Sequence, residues 1–390
     1  MNDKHRVASA MFGIGWGANH FAGLLLIYRG EGGLSTSTVT AMFGAYALGL
    51  VPALFAAGAL SDRVGRRRVL ILAGWLSLIA SIVLASGVLT AAMLFLGRFL
   101  AGAATGGAMV AGTAWVRRLA EEAGERSGAR TAAVALSGGF GGGALVAAAL
   151  AQWLPWPRLL AYALHVALML VVIAMTQRVV EPREPAEGDH GRVRLAPLFT
   201  RPFLLGVGIW APWVFGTATV SFVVLPTLPA VAASAHGAPV FLNGAVAGLT
   251  LLTGVLVQPF AQRLNHLSGR WGTAVGLLLA SAGLGAAAWL THQQQGFAWW
   301  ALLPVAIVLG SAYGMLLVAG LIQVERLSSR RQHATYVAAY YSLTYVGFGY
   351  PFALTLLSQV APLWCWLALG AGIAALTIPA RMSAGDGLRR

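Results

Sequence analysis

Twelve apolar runs, each about 20 residues or longer, fill most of the chain. They fall at about 7–28, 38–60, 69–89, 92–116, 131–152, 158–177, 202–229, 239–261, 271–291, 297–323, 334–358 and 360–380. A helix of ~20 residues is ~30 Å long, the thickness of a bilayer's hydrocarbon core. There every backbone N–H and C=O must be bonded within the segment, so continuous runs of this kind fold as helices. Composition agrees: 58% of the 390 residues are hydrophobic and 10% are charged, against about 25% charged in soluble domains. The expected fold class is an all-α membrane protein with twelve transmembrane helices in two six-helix bundles. The bundles are 1–177 and 202–390. The linker between them, 178–201, is rich in charge, Pro and Gly from Glu181 to Arg192, the composition of a surface connector.

Lys4 and Arg6 ahead of the first run give it the outline of a signal peptide. The run is long enough to span and eleven others follow, so it reads as the first span. A single cysteine, Cys365, leaves no internal disulfide and no Cys-based metal cage.

The positive charges set the orientation. With an even number of spans both termini share one side, and 23 of the 26 Lys and Arg residues fall there. Only Arg29 and Arg158 fall on the other side, and Arg98 lies inside a run. Such asymmetry places both termini in the cytoplasm. It also accounts for most of the net charge of +14, which is therefore no sign of nucleic-acid binding.

The densest charge cluster lies between the second and third runs: Gly58-Ala-Leu-Ser-Asp62-Arg63-Val-Gly65-Arg66-Arg67-Arg68. Gly65 supplies a tight turn without a Cβ clash. The arginines suit the anionic cytoplasmic leaflet, and Asp62 can accept hydrogen bonds from guanidiniums or from a facing helix N-terminus. A positively charged turn would need no more. The order Gly-x-x-x-Asp-Arg-x-Gly-Arg-Arg, however, resembles the loop between helices 2 and 3 of the major facilitator superfamily of transporters. The plan of six helices, linker and six helices resembles that family along the whole chain. The resemblance implies two pseudo-symmetric halves that rock around a central site. It places Gly58, Asp62, Arg63, Gly65 and Arg66 in a cytoplasmic gate. Asp62 would face the start of helix 11, and the arginines would pair with acids such as Glu121, Glu122 or Glu125. The equivalent second-half loop, Gln262 to Arg270, keeps the place but has no acid.

Two further stretches bear on the resemblance. In helix 4, Arg98-Phe-Leu-Ala-Gly102 resembles the family's Arg-x-x-x-Gly element, which is linked there to proton coupling. Physically, an arginine inside a span costs about 2.5–3.5 kcal/mol on insertion scales and marks a functional position by default. The alternative is that it snorkels to the outer surface about 9 Å away. In helix 5, Gly139, Gly143, Ala147 and Ala151 recur four apart, a stripe that lets two helix backbones approach. The family's antiporter motif in this helix carries a Gly-Pro step, whereas Ala144 follows Gly143 here. A similar row in helix 2, Ala45, Gly49, Ala53 and Ala57, reads as packing.

None of the twelve acidic residues lies in the middle of a run, so a buried carboxylate is not available for coupling. The titratable alternative is His20, next to Asn19 in helix 1. By helix rise His20 and Arg98 reach a similar depth, and Trp16, Asn19, His20 and Gly23 share one arc. Asn19, His20 and Arg98 are therefore the candidate polar site, with His20 either a proton carrier or a neutral structural residue. A nearby arginine disfavours a charged histidine. His165 in helix 6 reads as structural, and Tyr28, Arg29 and Glu31 read as an outer gate or as interfacial anchors. The second half is aromatic. Trp210, Trp213 and Tyr313 are its candidate substrate contacts, since helices 7 and 10 mirror 1 and 4 in the family; the alternative for each is a core position.

The sequence reading is thus a secondary active transporter, not an enzyme, that moves a small organic molecule through the bacterial inner membrane by alternating access. Proton-coupled efflux of an apolar or amphipathic compound is preferred, for the aromatic, acid-free interior. Uptake of a small organic anion is the alternative, for Arg98. No nucleotide-binding Gly-x-x-x-x-Gly-Lys-Ser/Thr motif is present, and no cofactor, metal or nucleic acid is expected. The expected partners are the substrate, protons and the lipid bilayer, with the protein a monomer. An integral membrane enzyme would need a buried acid–base set, and the acids are outside the spans. A channel fits the two-halved plan less well.

Overall fold

The structure is a computed structural model and describes residues 2–125, 128–181, 200, 203–267, 270–293, 297–328 and 333–383. Most of the expected linker, 182–199, lies outside the described residues, as do Arg126 and the C-terminal Asp386, Arg389 and Arg390.

Helices account for nearly all of the described chain, and no strand occurs among the described residues. The first helix, α1, is Asp3–Gly23, and a short piece, Leu25–Gly30, continues it beyond a break at Leu24. Next come α2 (Thr36–Val64), α3 (Arg66–Ala85), α4 (Ala91–Glu122), α5 (Gly128–Trp153) and α6 (Pro157–Gln177). After the linker stand α7 (Leu204–Thr227), α8 (Pro239–Asn265), α9 (Trp271–His292) and α10 (Trp299–Leu327). The last two are α11, broken into His333–Tyr345, Val346–Gly349 and Tyr350–Leu357, and α12 (Leu363–Ser383). Ten of them, α2 to α10 and α12, are long and apolar enough to cross a membrane. Of the other two expected spans, α1 is 21 residues long but less apolar, and α11 is interrupted.

Contacts divide the chain into two compact units. The first is Met1–Leu34 with Met42–Val193, and the second is Ser35–Ala41 with Arg194–Arg390. In the first, α1 lies along α5. The small-residue stripe of α5 makes this possible: Gly139 and Gly143 sit directly on the backbone of Phe12 and Trp16, and Gly23 sits on that of Ala144. A β-carbon at any of them would collide with main-chain atoms, which cannot rotate away. The row on α2 acts likewise, Gly49 meeting the backbone of Phe99 in α4 while Gly102 of α4 meets that of Tyr46. In the second unit Gly310 and Gly314 bring α10 onto the backbone of Thr250 and Gly254 in α8. Close backbone approach of this kind replaces the hydrophobic drive that lipid cannot provide.

The joint between α2 and α3 is one residue long. Gly65 has φ +93°, a conformation that side-chain-bearing residues rarely adopt. Directly after it, the Glu181 carboxylate accepts the backbone N–H groups of Arg66 at 3.0 Å and Arg67 at 2.8 Å. A carboxylate there satisfies two orphan donors and complements the positive end of the helix dipole. The Arg67 guanidinium donates to the Gln177 carbonyl at 2.7 Å.

Candidate functional site

In the first unit, α4 carries Arg98 into the protein interior. The residue is 1% exposed, so it does not snorkel. Its Nη1 donates to the Ala18 carbonyl of α1 at 2.6 Å, and its Nε reaches the Met42 carbonyl of α2 at 3.4 Å. Three aromatic rings surround the guanidinium carbon: Tyr46 at 4.5 Å, Phe21 at 4.9 Å and Phe43 at 5.2 Å. Cation–π contact of this kind compensates part of the desolvation of a buried charge. The third nitrogen, Nη2, has no hydrogen-bond partner among the described residues. No Asp or Glu is buried among the described residues either. The charge of Arg98 is therefore held by carbonyl dipoles and ring faces, with no carboxylate beside it.

Two buried histidines lie next to each other in this unit, and their surroundings differ. The rings of His20 in α1 and His165 in α6 are 5.1 Å apart, edge to face. His165 is fully committed. Its Nε2–H donates to the Gly13 carbonyl at 2.9 Å, and its Nδ1 accepts the Ser81 hydroxyl at 2.7 Å. A carbonyl only accepts, so this pairing fixes the tautomer. His165 thus ties α1, α3 and α6 together, the structural role its sequence position suggested. His20 is 0% exposed, and neither of its ring nitrogens has a hydrogen-bond partner among the described residues. Its ring meets Tyr162 edge-on at 4.7 Å. The Tyr162 hydroxyl is hydrogen-bonded to that of Tyr28.

The proposed polar trio is only partly assembled. Arg98 binds the carbonyl two residues before His20 and lies close enough to act on it electrostatically. Asn19 points elsewhere: its amide donates to the Phe140 carbonyl of α5 at 3.1 Å. The arc on α1 is split because α1 rests between α5 and α6. Asn19 and Gly23 face the first of these neighbours and His20 faces the second. Tyr28 is not an interfacial anchor, since it is 2% exposed and bonded to Tyr162. Phe21, Phe43, Tyr46 and Tyr162 were not singled out from the sequence. An aromatic near a buried arginine is the signal that would have found them, and it needs tertiary neighbours to be visible.

In the second unit Trp210, Trp213 and Tyr313 are all buried. The Trp210 ring N–H donates to the Gly206 carbonyl one turn back, and its ring meets Tyr340 at 6.2 Å. Trp213 meets Tyr350 at 5.9 Å. Tyr313 packs on Phe215 at 5.2 Å, which also touches Tyr345 at 4.4 Å and Phe348 at 5.1 Å. The helix that brings these residues in is irregular. Two π-helical turns, Leu204–Gly208 and Val220–Val224, flank Trp213–Thr219, and Pro212 precedes it. Such π segments are frequent at functional positions. Opposite them, Gly347 in the break of α11 meets the backbone of Phe215 and Gly216.

At the expected gate, Asp62 and Arg63 are exposed while Gly58, Gly65 and Arg66 are partly covered. The acids expected to pair with the loop's arginines have other partners. Glu121 pairs with Arg117 at 3.3 Å and Glu122 with Arg118 at 2.8 Å, each one turn away on the same helix, and Glu125 pairs with Lys4. Glu181 binds this loop through its backbone.

Ten apolar helices with these two helical units define a multi-pass membrane protein, and the family comparison gives its class. A model of the Major Facilitator Superfamily matches residues 7–350. The chain belongs to this superfamily and is a membrane transporter, not an enzyme. Among solved structures it is similar to the nucleoside transporter NupG, at 14% identity over 98% of this chain and 99% of that one, with a TM-score of 0.69. It is also similar to a variant of the peptide transporter POT in complex with alafosfalin, at 16% identity over 99% of this chain and 94% of that one, with a TM-score of 0.72. At these identities the likeness is one of fold. A search of curated proteins gave no match.

Proposed function

We propose that this transporter is secondary active and carries a small amphipathic organic molecule through the bacterial inner membrane by alternating access, with both termini in the cytoplasm. Proton-coupled export is the direction and coupling proposed. The observation that carries this reading is the interior of the first unit. Arg98 and His20 are shut from solvent, Arg98 binds the carbonyl two residues before His20, and both carry hydrogen-bonding capacity that the described residues do not use. Buried polar groups are ordinarily satisfied by the protein, so unspent ones point to a ligand or a proton. The aromatic array around Tyr313, Phe215, Trp210 and Trp213 is the proposed surface for the cargo's apolar part, as such lining suits apolar ligands. Asp62 to Arg66 are proposed to act at the cytoplasmic end during the conformational cycle.

A second reading is uptake of a small organic anion, favoured by the unneutralised charge of Arg98. Proteoliposomes holding the purified protein separate the two. Acceleration of cargo release by an inward proton gradient supports export. Flux that ignores the gradient overturns proton coupling, and accumulation driven by an inward gradient establishes the second reading.

A further inference from the structure

Three neighbouring elements of the first unit leave hydrogen-bond donors unspent at one place. Arg98 Nη2 has no acceptor, and neither nitrogen of His20 has a partner among the described residues, although both side chains are buried. Beside them is the hydroxyl pair Tyr28–Tyr162. In such a pair one hydroxyl donates and the other accepts, which leaves one O–H free to donate outward. Phe21, which lies against the Arg98 guanidinium at 4.9 Å, stacks on Tyr28 at 5.2 Å, and Tyr162 meets His20 at 4.7 Å, so the groups adjoin one another. The second histidine facing them, His165, has both nitrogens occupied by Gly13 and Ser81. No acid is buried among the described residues. The cluster therefore has one full positive charge, several free donors and no counterion.

We infer that Arg98, His20 and the Tyr28–Tyr162 pair form an anion site within the first unit, built for the carboxylate head of a small organic acid. A carboxylate on Arg98 Nη2 makes a charge-assisted hydrogen bond and cancels the buried charge at once. His20 and the free tyrosine O–H supply donors to its remaining lone pairs. The rings of Phe21, Phe43 and Tyr46, already packed on the guanidinium, give the acid's body an apolar wall. α1 breaks at Leu24, four residues beyond His20, so the segment that must yield for entry is not tied into a continuous helix. The fixed carbonyls of Ala18 and Met42 orient Arg98 before the ligand arrives, which lowers the cost of binding. As a statement about cargo this rests on the transport reading above; as a statement about binding it stands alone.

The test uses the purified full-length protein in detergent, with thermal unfolding followed by intrinsic fluorescence. Benzoate is the probe and benzamide its uncharged match. The expected result is a saturable rise of the midpoint with benzoate and none with benzamide. Arg98→Lys should weaken benzoate at least ~10-fold through loss of the planar fork, and His20→Gln should weaken it severalfold. His20→Gln keeps the question open to measurement should Arg98→Lys fail to fold, which its unfolding curve without benzoate reports. Equal shifts with both probes, no shift with benzoate, or folded variants that bind like the parent would overturn the site. Proteoliposome flux separates this inference from the function it builds on. Benzoate binding without flux of any cargo refutes transport of the anion and leaves the site, whereas flux of a neutral cargo without benzoate binding refutes the site and leaves transport.

Discussion

The two units are built by the same device and filled differently. In each, glycines bring one helix onto the backbone of another: Gly102 on Tyr46 and Gly143 on Trp16 in the first, Gly314 on Gly254 and Gly347 on Gly216 in the second. The interiors they enclose diverge. The first holds a buried arginine and two histidines. The second holds an array of tryptophan, tyrosine and phenylalanine rings with Thr and Ser hydroxyls turned mostly to local carbonyls, and its buried arginine, Arg381, lies at the end of α12 and donates to the Gln323 side chain. Backbone contact through small residues demands little of the remaining side chains, so one frame accommodates either chemistry. The proposed function divides labour along this contrast, with charge recognition in the first unit and apolar recognition in the second.

The largest effect should come from Arg98→Leu. Transport should fall at least ~100-fold, equivalent to ~2.7 kcal/mol. The thermal midpoint should stay level or rise, because a buried charge without a carboxylate is replaced by an apolar side chain. Unfolding curves and proteoliposome flux measured together check this. A collapse of stability alongside flux would make Arg98 a structural residue and erase the contrast between the units.

The paired histidines offer the sharpest internal comparison. His165→Phe should lose about 2–3 kcal/mol of stability, since it abandons the Ser81 hydroxyl and the Gly13 carbonyl inside the unit. His20→Phe should cost little or nothing in stability, since its nitrogens bond to no group among the described residues, yet it should impair transport about as strongly as loss of a ligand contact. Equal destabilisation by the two, measured by thermal or denaturant unfolding, would show that His20 is as structural as its neighbour.

Phe215→Ala in the second unit should change cargo selectivity more than overall rate. Discrimination between cargoes differing by one methylene should shift by roughly 10-fold, the usual worth of such a contact. Competition assays with a homologous series of alkyl cargoes read this directly. A uniform loss across the series would place Phe215 in the core only. The smallest effect belongs to Glu181→Gln. It keeps a hydrogen-bond acceptor at the start of α3 but removes the charge that favours the helix dipole, so stability should drop by about 0.3–1 kcal/mol. A larger drop would show that Glu181 also holds the linker.

Much of the fold was legible in the residue order. The apolar runs matched the helices closely because each run must satisfy its own backbone, and the stripe Gly139, Gly143, Ala147 marked a contact face before its partner was known. Gly65 was readable as the α2–α3 turn because few other residues accept φ +93°. What escaped were properties that depend on neighbours. His20 and Asn19 looked like one polar pair, but a helix seated between α5 and α6 sends adjacent residues to different neighbours. The gate's arginines were assigned to Glu121, Glu122 and Glu125, whose nearer cations at one helical turn and at Lys4 claim them.

By itself the sequence determined the solvent this chain folds in, the number and order of its apolar segments, and the presence of one arginine within an apolar run. These follow from transfer free energies and backbone bonding, which act residue by residue. Only the tertiary structure decided which of the buried polar side chains the fold satisfies. It surrounded the arginine with three rings and two carbonyls, gave every nitrogen of His165 a partner and gave those of His20 none among the described residues. Satisfaction of a buried polar group is a matter of what packs against it, and the order of residues along a chain does not state that.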